Sequence, residues 1–378
     1  MYLENIRLKN FRNHADTSLN FGTKANVVLG GNGEGKTNLL EAISYISLTK
    51  SFYASSDTVV LKINEQVFEI EANVVSDGGM INKVHIGYDS RSGEKAYSIN
   101  KRRIEPFSSI IGKFPLVFLS PENADITFGG PTDRRKFLDI VISQSNISYF
   151  KDLSEYRKVV RHRNKIFGDA KNFRTDTSVL LEPWNDQLVK YGSRIMFKRK
   201  LFVNEFRKYI EESYSDLVDV KEIPSIAYEP SFEINDDDAI ERISEKFFDI
   251  IKKKNQEELK FGTTLIGPHR DEINLKINNL DLRKFASQGQ HKTFLIALKI
   301  GEFFYLKERC KETPVFLLDD VFSELDANRA LHMLKLIESL SQTFITSTNP
   351  EIFDVALNFG DTNKIFFVKS GRVETTQN

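Results

Sequence analysis

The chain is poor in the features that would place it outside ordinary globular proteins. It has a single cysteine, Cys310, among 378 residues. That excludes an intrachain disulfide and any zinc site built from several cysteines, and it fits a reducing cytosol. No run approaches the roughly 18 apolar residues that a membrane-spanning helix needs. The opening "MYLENIRLKNF" alternates apolar and charged residues and reads as a strand, not as a signal peptide. Internal repeats, low-complexity tracts and sustained heptads are missing, so a solenoid or a long coiled coil is not expected. Zinc-finger and helix-turn-helix patterns are missing as well, which leaves no device for reading bases. Net charge is also lacking: 53 basic side chains balance 53 acidic ones. These properties predict a soluble, cytoplasmic protein with no membrane association.

That neutrality conceals a segregation. Residues 129–215 hold 18 Lys and Arg against 11 Asp and Glu, whereas residues 216–260 hold 7 against 13. A basic middle section can bind a polyanion locally even when the whole chain is neutral. The candidate phosphate contacts fall in three runs: Arg134, Arg135 and Lys136; Arg157, Lys158, Arg161, Arg163 and Lys165; and Lys190, Arg194, Lys198 and Arg199. Lys190, Arg194 and Lys198 are spaced by four, which aligns them on one helix face. Such a stripe is sufficient for DNA phosphates without sequence preference.

The strongest pattern is "VVLGGNGEGKTNLLEAI", Val27 to Ile43. Gly30, Gly35, Lys36 and Thr37 satisfy G-x-x-x-x-G-K-[ST], with β-type residues before and helix formers after. Glycines let backbone N–H groups turn toward an anion, and the helix start adds its positive dipole end. Gly30, Gly31, Asn32, Gly33, Glu34, Gly35, Lys36, Thr37 and Asn38 are therefore expected to cradle the phosphates of ATP. Lys36 would neutralise the β- and γ-phosphates, and the Thr37 hydroxyl would ligate Mg²⁺. Far downstream, "TPVFLLDDVFSELD" reads as a buried strand ending in two carboxylates at the carboxyl edge of a sheet. Asp319 is expected to hold Mg²⁺, directly or through water, and Asp320 to orient or deprotonate the attacking water. A third element, "FASQGQHKTFLIALKI", places Ser287, Gly289 and Gln290 at the start of a long helix. This can be a second anion cradle, completed by the nucleotide of another subunit, or a serine that caps its own helix.

The organisation expected from patterning is a split α/β domain. Residues 1–128 look strand-rich, with short runs such as "LENIRLKNF", "HADTSLNF", "ANVVLG", "TVVLKI" and "QVFEIEANVV". Residues 129–260 change to helical spacing, with Leu153, Tyr156 and Val159 on one face and Leu188, Ile195 and Phe202 on another. Residues 261–378 return to β/α alternation, including "EINLKI", "PVFLLD", the helical "ANRALHMLKLIESL" and "TFITST", which predicts a mainly parallel sheet flanked by helices. Neither flanking part could close that sheet alone.

Phosphate loop, S-x-G-Q signature, Asp-Asp strand and "SELD" loop in this order resemble the ATP-binding-cassette ATPase heads of the SMC type. More narrowly, the chain resembles the RecF family through "LKNFRNH", "GNGEGKTNLLEAI", "KSFYASSD", "FLSPENADITFGGPTDRRKFLD", "GPHRDE" and "SQGQHKT". The resemblance covers nearly the whole length. It implies an ATPase of DNA replication and recombinational repair that dimerises on ATP and binds DNA near single-strand gaps. It also implies RecO- and RecR-like partners that help direct recombinase loading. Asp320 stands where cassette ATPases usually carry Glu, Ser347-Thr348 stand where many carry a histidine, and "SPENAD" replaces the usual glutamine loop. These departures imply slow hydrolysis, with ATP as a switch. A transporter-type cassette ATPase would show the missing glutamine and histidine, and a nuclease-linked ATPase would need a further carboxylate-bearing domain beyond Asn378.

"GPHRDE" leaves two readings open: His269 and Arg270 bracing the nucleotide or a dimer interface, or Arg270 in a salt bridge with Asp271 or Glu272.

Overall fold

The computed structural model describes residues 1–375 except 55, 174–177, 219–221, 323–332, 335–339, 352, 354–356, 358 and 359. The chain forms two compact units, Met1–Ala124 with Ile296–Asn378, and Asp125–Leu295. No described helix is long and apolar enough to cross a membrane.

The first unit is built from two sheets. Its N-terminal part supplies β1 (Tyr2–Phe11), β2 (His14–Asn20), β3 (Ala25–Leu29), α1 (Lys36–Leu48), β4 (Val67–Val75), β5 (Ile81–Asp89), β6 (Glu94–Ile99), β7 (Arg102–Arg103) and β8 (Leu116–Leu119). Its C-terminal part supplies β12 (Val315–Asp319), β13 (Thr343–Ser347), β14 (Lys364–Lys369) and β15 (Arg372–Thr375). One sheet runs β15-β14-β3-β13-β12-β8, parallel except for the β14–β15 hairpin. Every residue of β3, β12 and β13 is buried, as strands covered on both faces must be. The N-terminal part gives this sheet β3 and β8 and the C-terminal part gives the rest, so neither part completes the parallel sheet without the other. The second sheet, β2-β1-β4-β5-β6-β7, is wholly antiparallel, and along β4 and β5 buried residues alternate with half-buried or exposed ones. Phe11, Tyr45 and Phe68 meet edge to face at 5.4 to 5.7 Å and lock this sheet onto α1.

"TVVLKI" is not a strand. Asp57–Val60 form a 3-10 turn, and Leu61 makes only an isolated bridge to Phe11. Val60 is buried while Val59 and Ile63 face solvent, so no continuous apolar face exists for a strand to lay down.

The second unit contains α2 (Asp125–Phe128), α3 (Pro131–Ser145), α4 (Ile147–Phe173), α5 (Ser178–Ser215), β9 (Pro224–Glu229), α6 (Ile240–Phe261), β10 (Glu272–Ile277), β11 (Leu280–Asp281) and α7 (Leu282–Phe285). α8 (Gln288–Cys310) begins in this unit and ends in the first. "EINLKI" is β10, and it joins the antiparallel sheet β11-β10-β9 of the second unit instead of the parallel sheet. The "SELD" loop lies outside the described residues, as does most of "ANRALHMLKLIESL".

Candidate nucleotide site

The parallel order β3-β13-β12 brings the carboxyl ends of three buried strands side by side. Thr346 is in register with Val28 on one flank and Asp319 on the other. The loop after β3 needs glycine for two different reasons. Gly35 precedes α1 at φ 115, outside the range of L side chains, and a Cβ there would fall 2.5 Å from Asn13 Oδ1. At Gly30 the obstacle is contact, since a Cβ would fall 2.4 Å from the Val368 carbonyl oxygen.

The Lys36 ammonium donates to the carbonyl oxygens of Gly30 and Gly31, each at 2.8 Å. Burial lowers its pKa, an effect opposed by Asp320, Asp319 and Glu34. Asp319 receives three hydroxyls: Thr37 donates to Oδ1 at 2.9 Å, Thr346 to the same oxygen at 2.6 Å, and Tyr53 to Oδ2 at 2.8 Å. Asp320 turns out of the strand at φ 51, a region most non-glycine residues avoid, and its N–H donates to Thr346 Oγ1 at 2.9 Å. A concavity of about 150 Å³ is lined by Asn32, Gly33, Gly35, Lys36, Thr37, Asn38, Asp319, Asp320 and Thr346. Its shape fits a polyphosphate: it is a cradle of backbone N–H groups and one ammonium, with a hydroxyl and two carboxylates at one end. The fold thus brings Asn32, Gly33, Gly35, Lys36, Thr37, Asn38, Asp319 and Asp320 to one concavity, while Gly30, Gly31 and Glu34 are not among its lining and Gly30 and Gly31 meet Lys36 through their carbonyls.

Sequence reasoning assigned no role to the residues that brace this loop. The tip of the β1–β2 hairpin supplies Asn13, whose Nδ2 donates to the Glu34 carbonyl at 2.8 Å and whose Oδ1 accepts from Asn38 at 2.8 Å. His14 is fully buried with Nε2 3.2 Å from the Gly35 carbonyl, and burial pushes its pKa down, so it stays a neutral donor. At the other end of the chain, the β14–β15 turn gives the Gly371 N–H to the Glu34 carbonyl at 2.9 Å. The only signal for Asn13 and His14 was the stretch "LKNFRNH".

In the second unit, Ser287 and Gln290 close a reciprocal cap on α8. The Gln290 N–H donates to Ser287 Oγ at 3.2 Å, and the Ser287 N–H donates to Gln290 Oε1 at 2.8 Å. Gln290 Nε2 donates to Glu222 at 2.9 Å. The capping reading of the signature serine is therefore realised in the single chain. Its oxygen accepts there, which leaves the hydroxyl proton to donate elsewhere.

Several basic candidates are not surface cations. Arg134 is buried in a two-pronged pair with Glu272, at 3.0 and 3.1 Å. Arg163 is wholly buried against Glu258, and Arg199 is held by Asp139 at 2.8 Å and Asp271 at 3.3 Å. Each is neutralised by a local carboxylate, so none can meet DNA. Arg135 is half-buried and donates to the Asp271 carbonyl at 2.7 Å. Along α5, Lys190 and Arg194 are exposed, whereas Lys198 is mostly covered and pairs with Asp152 at 2.8 Å; Arg194 lies 3.6 Å from the same carboxylate. His269 and Arg270 are braces: His269 bonds Tyr156 at 2.7 Å and the Thr264 carbonyl at 3.1 Å, and Arg270 donates to that same carbonyl at 3.0 Å. The salt bridge to Asp271 or Glu272, one of the two readings left open, is not formed, because Arg199 and Arg134 take those carboxylates.

The family profile of the RecF/RecN/SMC N-terminal domain matches residues 2–374. The DNA replication and repair protein RecF of Chloroherpeton thalassium is 43% identical over 360 residues, covering 93% of this chain and 96% of that protein. The RecF protein of Salinibacter ruber is 37% identical over 361 residues, covering 95% and 87%. A solved structure of the recombination mediator protein RecF with ATP, in the RecFOR pathway, superposes with a TM-score of 0.88 at 34% identity, covering 100% of this chain and 98% of that one. An Smc head bound to the C-terminal winged-helix domain of ScpA superposes at 0.55 with 14% identity, a likeness of fold alone.

Proposed function

Because the chain belongs to the RecF family, DNA replication and repair proteins built as SMC-family ATPases, we propose that it binds ATP with Mg²⁺ at Gly30–Asn38, Asp319 and Asp320, and that ATP drives its dimerisation on DNA. The observation that carries this reading is the 2.9 Å bond from Thr37 to Asp319. It joins two motifs nearly 300 residues apart at one sheet edge, beside the Lys36 ammonium.

The roles follow from the groups present. The loop N–H groups and the α1 start hold phosphate oxygens, and Lys36 exchanges its two carbonyl acceptors for the β- and γ-phosphates. Thr37 and Asp319 would hold Mg²⁺, which when bound would supply neutralisation of phosphate charge. Asp320 orients the attacking water and accepts its proton. A carboxylate one methylene shorter than the usual Glu reaches less far, which favours slow turnover and a switch over a motor. Ser287, Gly289 and Gln290 would close over the nucleotide of a second subunit, the serine oxygen keeping its cap while its hydroxyl proton donates to the γ-phosphate.

Gapped DNA, with its single-strand/double-strand junctions, is the proposed polyanion. Lys190 and Arg194 are its exposed contacts on α5, with Lys198 and Arg135 contributing less because each already has a local acceptor. RecO- and RecR-like mediators in the cytoplasm are the proposed partners. The test is ATP turnover by the purified chain with and without gapped DNA. DNA-stimulated turnover supports the reading, and turnover indifferent to DNA removes it. Lys190→Glu with Arg194→Glu should weaken DNA binding and flatten its salt dependence while sparing ATP binding.

A further inference from the structure

Tyr53 belongs to no nucleotide motif, yet its hydroxyl reaches Asp319 Oδ2 at 2.8 Å. The opposite oxygen is already taken by Thr37 and Thr346. Everything around Tyr53 fixes it. Its ring stands edge-on to Phe118 at 5.7 Å and to Phe52 at 4.6 Å, and Phe52 stacks on Phe118 at 3.7 Å. Its N–H donates to Ser51 Oγ at 2.9 Å, as does that of Ala54 at 2.7 Å. Ser51 in turn donates to the buried Glu41, which also grips Arg12 through bonds of 2.7 and 2.8 Å. Further along, Asp57 is tied by Lys95 at 2.8 Å and by Tyr45 at 2.9 Å. Ser51, Tyr53 and Ala54 on one side and Asp57 on the other are thus each tied to the body of the unit.

A carboxylate rotates easily about its terminal torsion, and donors behind it decide which oxygen faces a cation. We propose that Tyr53 is a positioning residue for the divalent-cation site: by holding Oδ2 it fixes the plane of Asp319 and sets how tightly the site takes a metal. This rests on the reading of Asp319 as the magnesium carboxylate. Tyr53→Phe removes one oxygen and keeps every ring contact, so the fold should survive.

The experiment titrates Mn²⁺ into the full chain with ADP present, following free Mn²⁺ by electron paramagnetic resonance, and measures ADP affinity separately in EDTA. The expected result is Mn²⁺ binding weakened about tenfold in Tyr53→Phe, with ADP affinity in EDTA within about twofold of the parent. Equal or tighter Mn²⁺ binding would overturn the proposal, because the hydroxyl would then be idle or a competitor of the metal. Loss of ADP affinity in EDTA would overturn it too, since the side chain would be shaping the phosphate loop. If the parent itself takes no Mn²⁺ with ADP, the assignment of the site falls and the proposal falls with it; a parent that binds while the variant matches it defeats the Tyr53 role alone.

Discussion

Arg163 and Glu258 meet at 2.8 Å with neither side chain reachable by water. The guanidinium also donates to Asn185 at 3.0 Å and Thr264 at 2.9 Å, while Glu258 accepts the Leu265 N–H at 2.8 Å. Removing one partner leaves an uncompensated buried charge. Arg163→Ala should therefore destabilise the second unit by about 3–5 kcal/mol, whereas Arg163→Met with Glu258→Leu should recover most of that loss. The single tryptophan, Trp184, stacks on His162 within the same unit and reports its unfolding in denaturant. A small effect of Arg163→Ala would mean that water reaches the pair.

Lys36→Ala should weaken ATP binding about 10- to 100-fold, because the phosphates lose a charge-assisted donor already aimed into the loop. Equilibrium titration measures this, and unchanged affinity would end the phosphate-loop assignment. Asp320→Asn should behave differently. The amide still orients water but accepts no proton, so ATP stays bound, cleavage stops, and ATP-dependent dimers outlast those of the parent. Unchanged turnover would mean that another group positions the water.

Ser287→Arg should leave ATP binding by the single chain near normal and abolish ATP-driven dimerisation, read by light scattering. Loss of the cap costs α8 about 1 kcal/mol, which a thermal scan separates from the dimer defect. Mixing this variant with Lys36→Ala should restore some turnover, since each mixed dimer carries both defects in one site and leaves the other whole. A Ser287→Arg chain that still dimerises on ATP would reduce the serine to its cap.

His269 is held neutral by burial, its pKa lowered to about 4. In the unfolded chain it titrates near 6.5, so between these values the unfolded state binds the extra proton. The stability it contributes is complete above about pH 6.5 and lost as pH falls through about 4, on the order of 3 kcal/mol in all. In a His269→Gln chain the unfolding free energy of the second unit should fall less steeply across that window. Parallel curves for parent and variant would show that the ring is protonated in the fold.

Much of this molecule could be read from its residues, and the limits have physical reasons. The phosphate loop and the Asp-Asp strand announce themselves because strand, glycine loop and helix are contiguous and the apolar runs are fully buried. Patterning also separated a strand-rich segment from a helical one. It could not say which sheet "EINLKI" joins, since alternation records burial and not the neighbour. Charge counting failed at Arg134, Arg163 and Arg199, whose carboxylates lie 138, 95 and 60 residues away. Tyr53 stood in the quoted stretch "KSFYASSD", but its role could not be read there, because an aromatic residue in a loop carries no period and its value depends on a carboxylate 266 residues downstream.

The bond between Glu34 and Gly371 has a consequence for the order of events on the ribosome. The second unit is one continuous stretch, so all of it exists once residue 295 has emerged. The phosphate loop waits far longer: β3 lies between β13 and β14, and the last brace on Glu34 comes from the final hairpin. A nascent chain therefore carries its helical unit ready to fold while its nucleotide loop lacks both neighbouring strands. The loop that carries Lys36 thus takes its neighbours from strands made last, whereas the helical unit takes none from them.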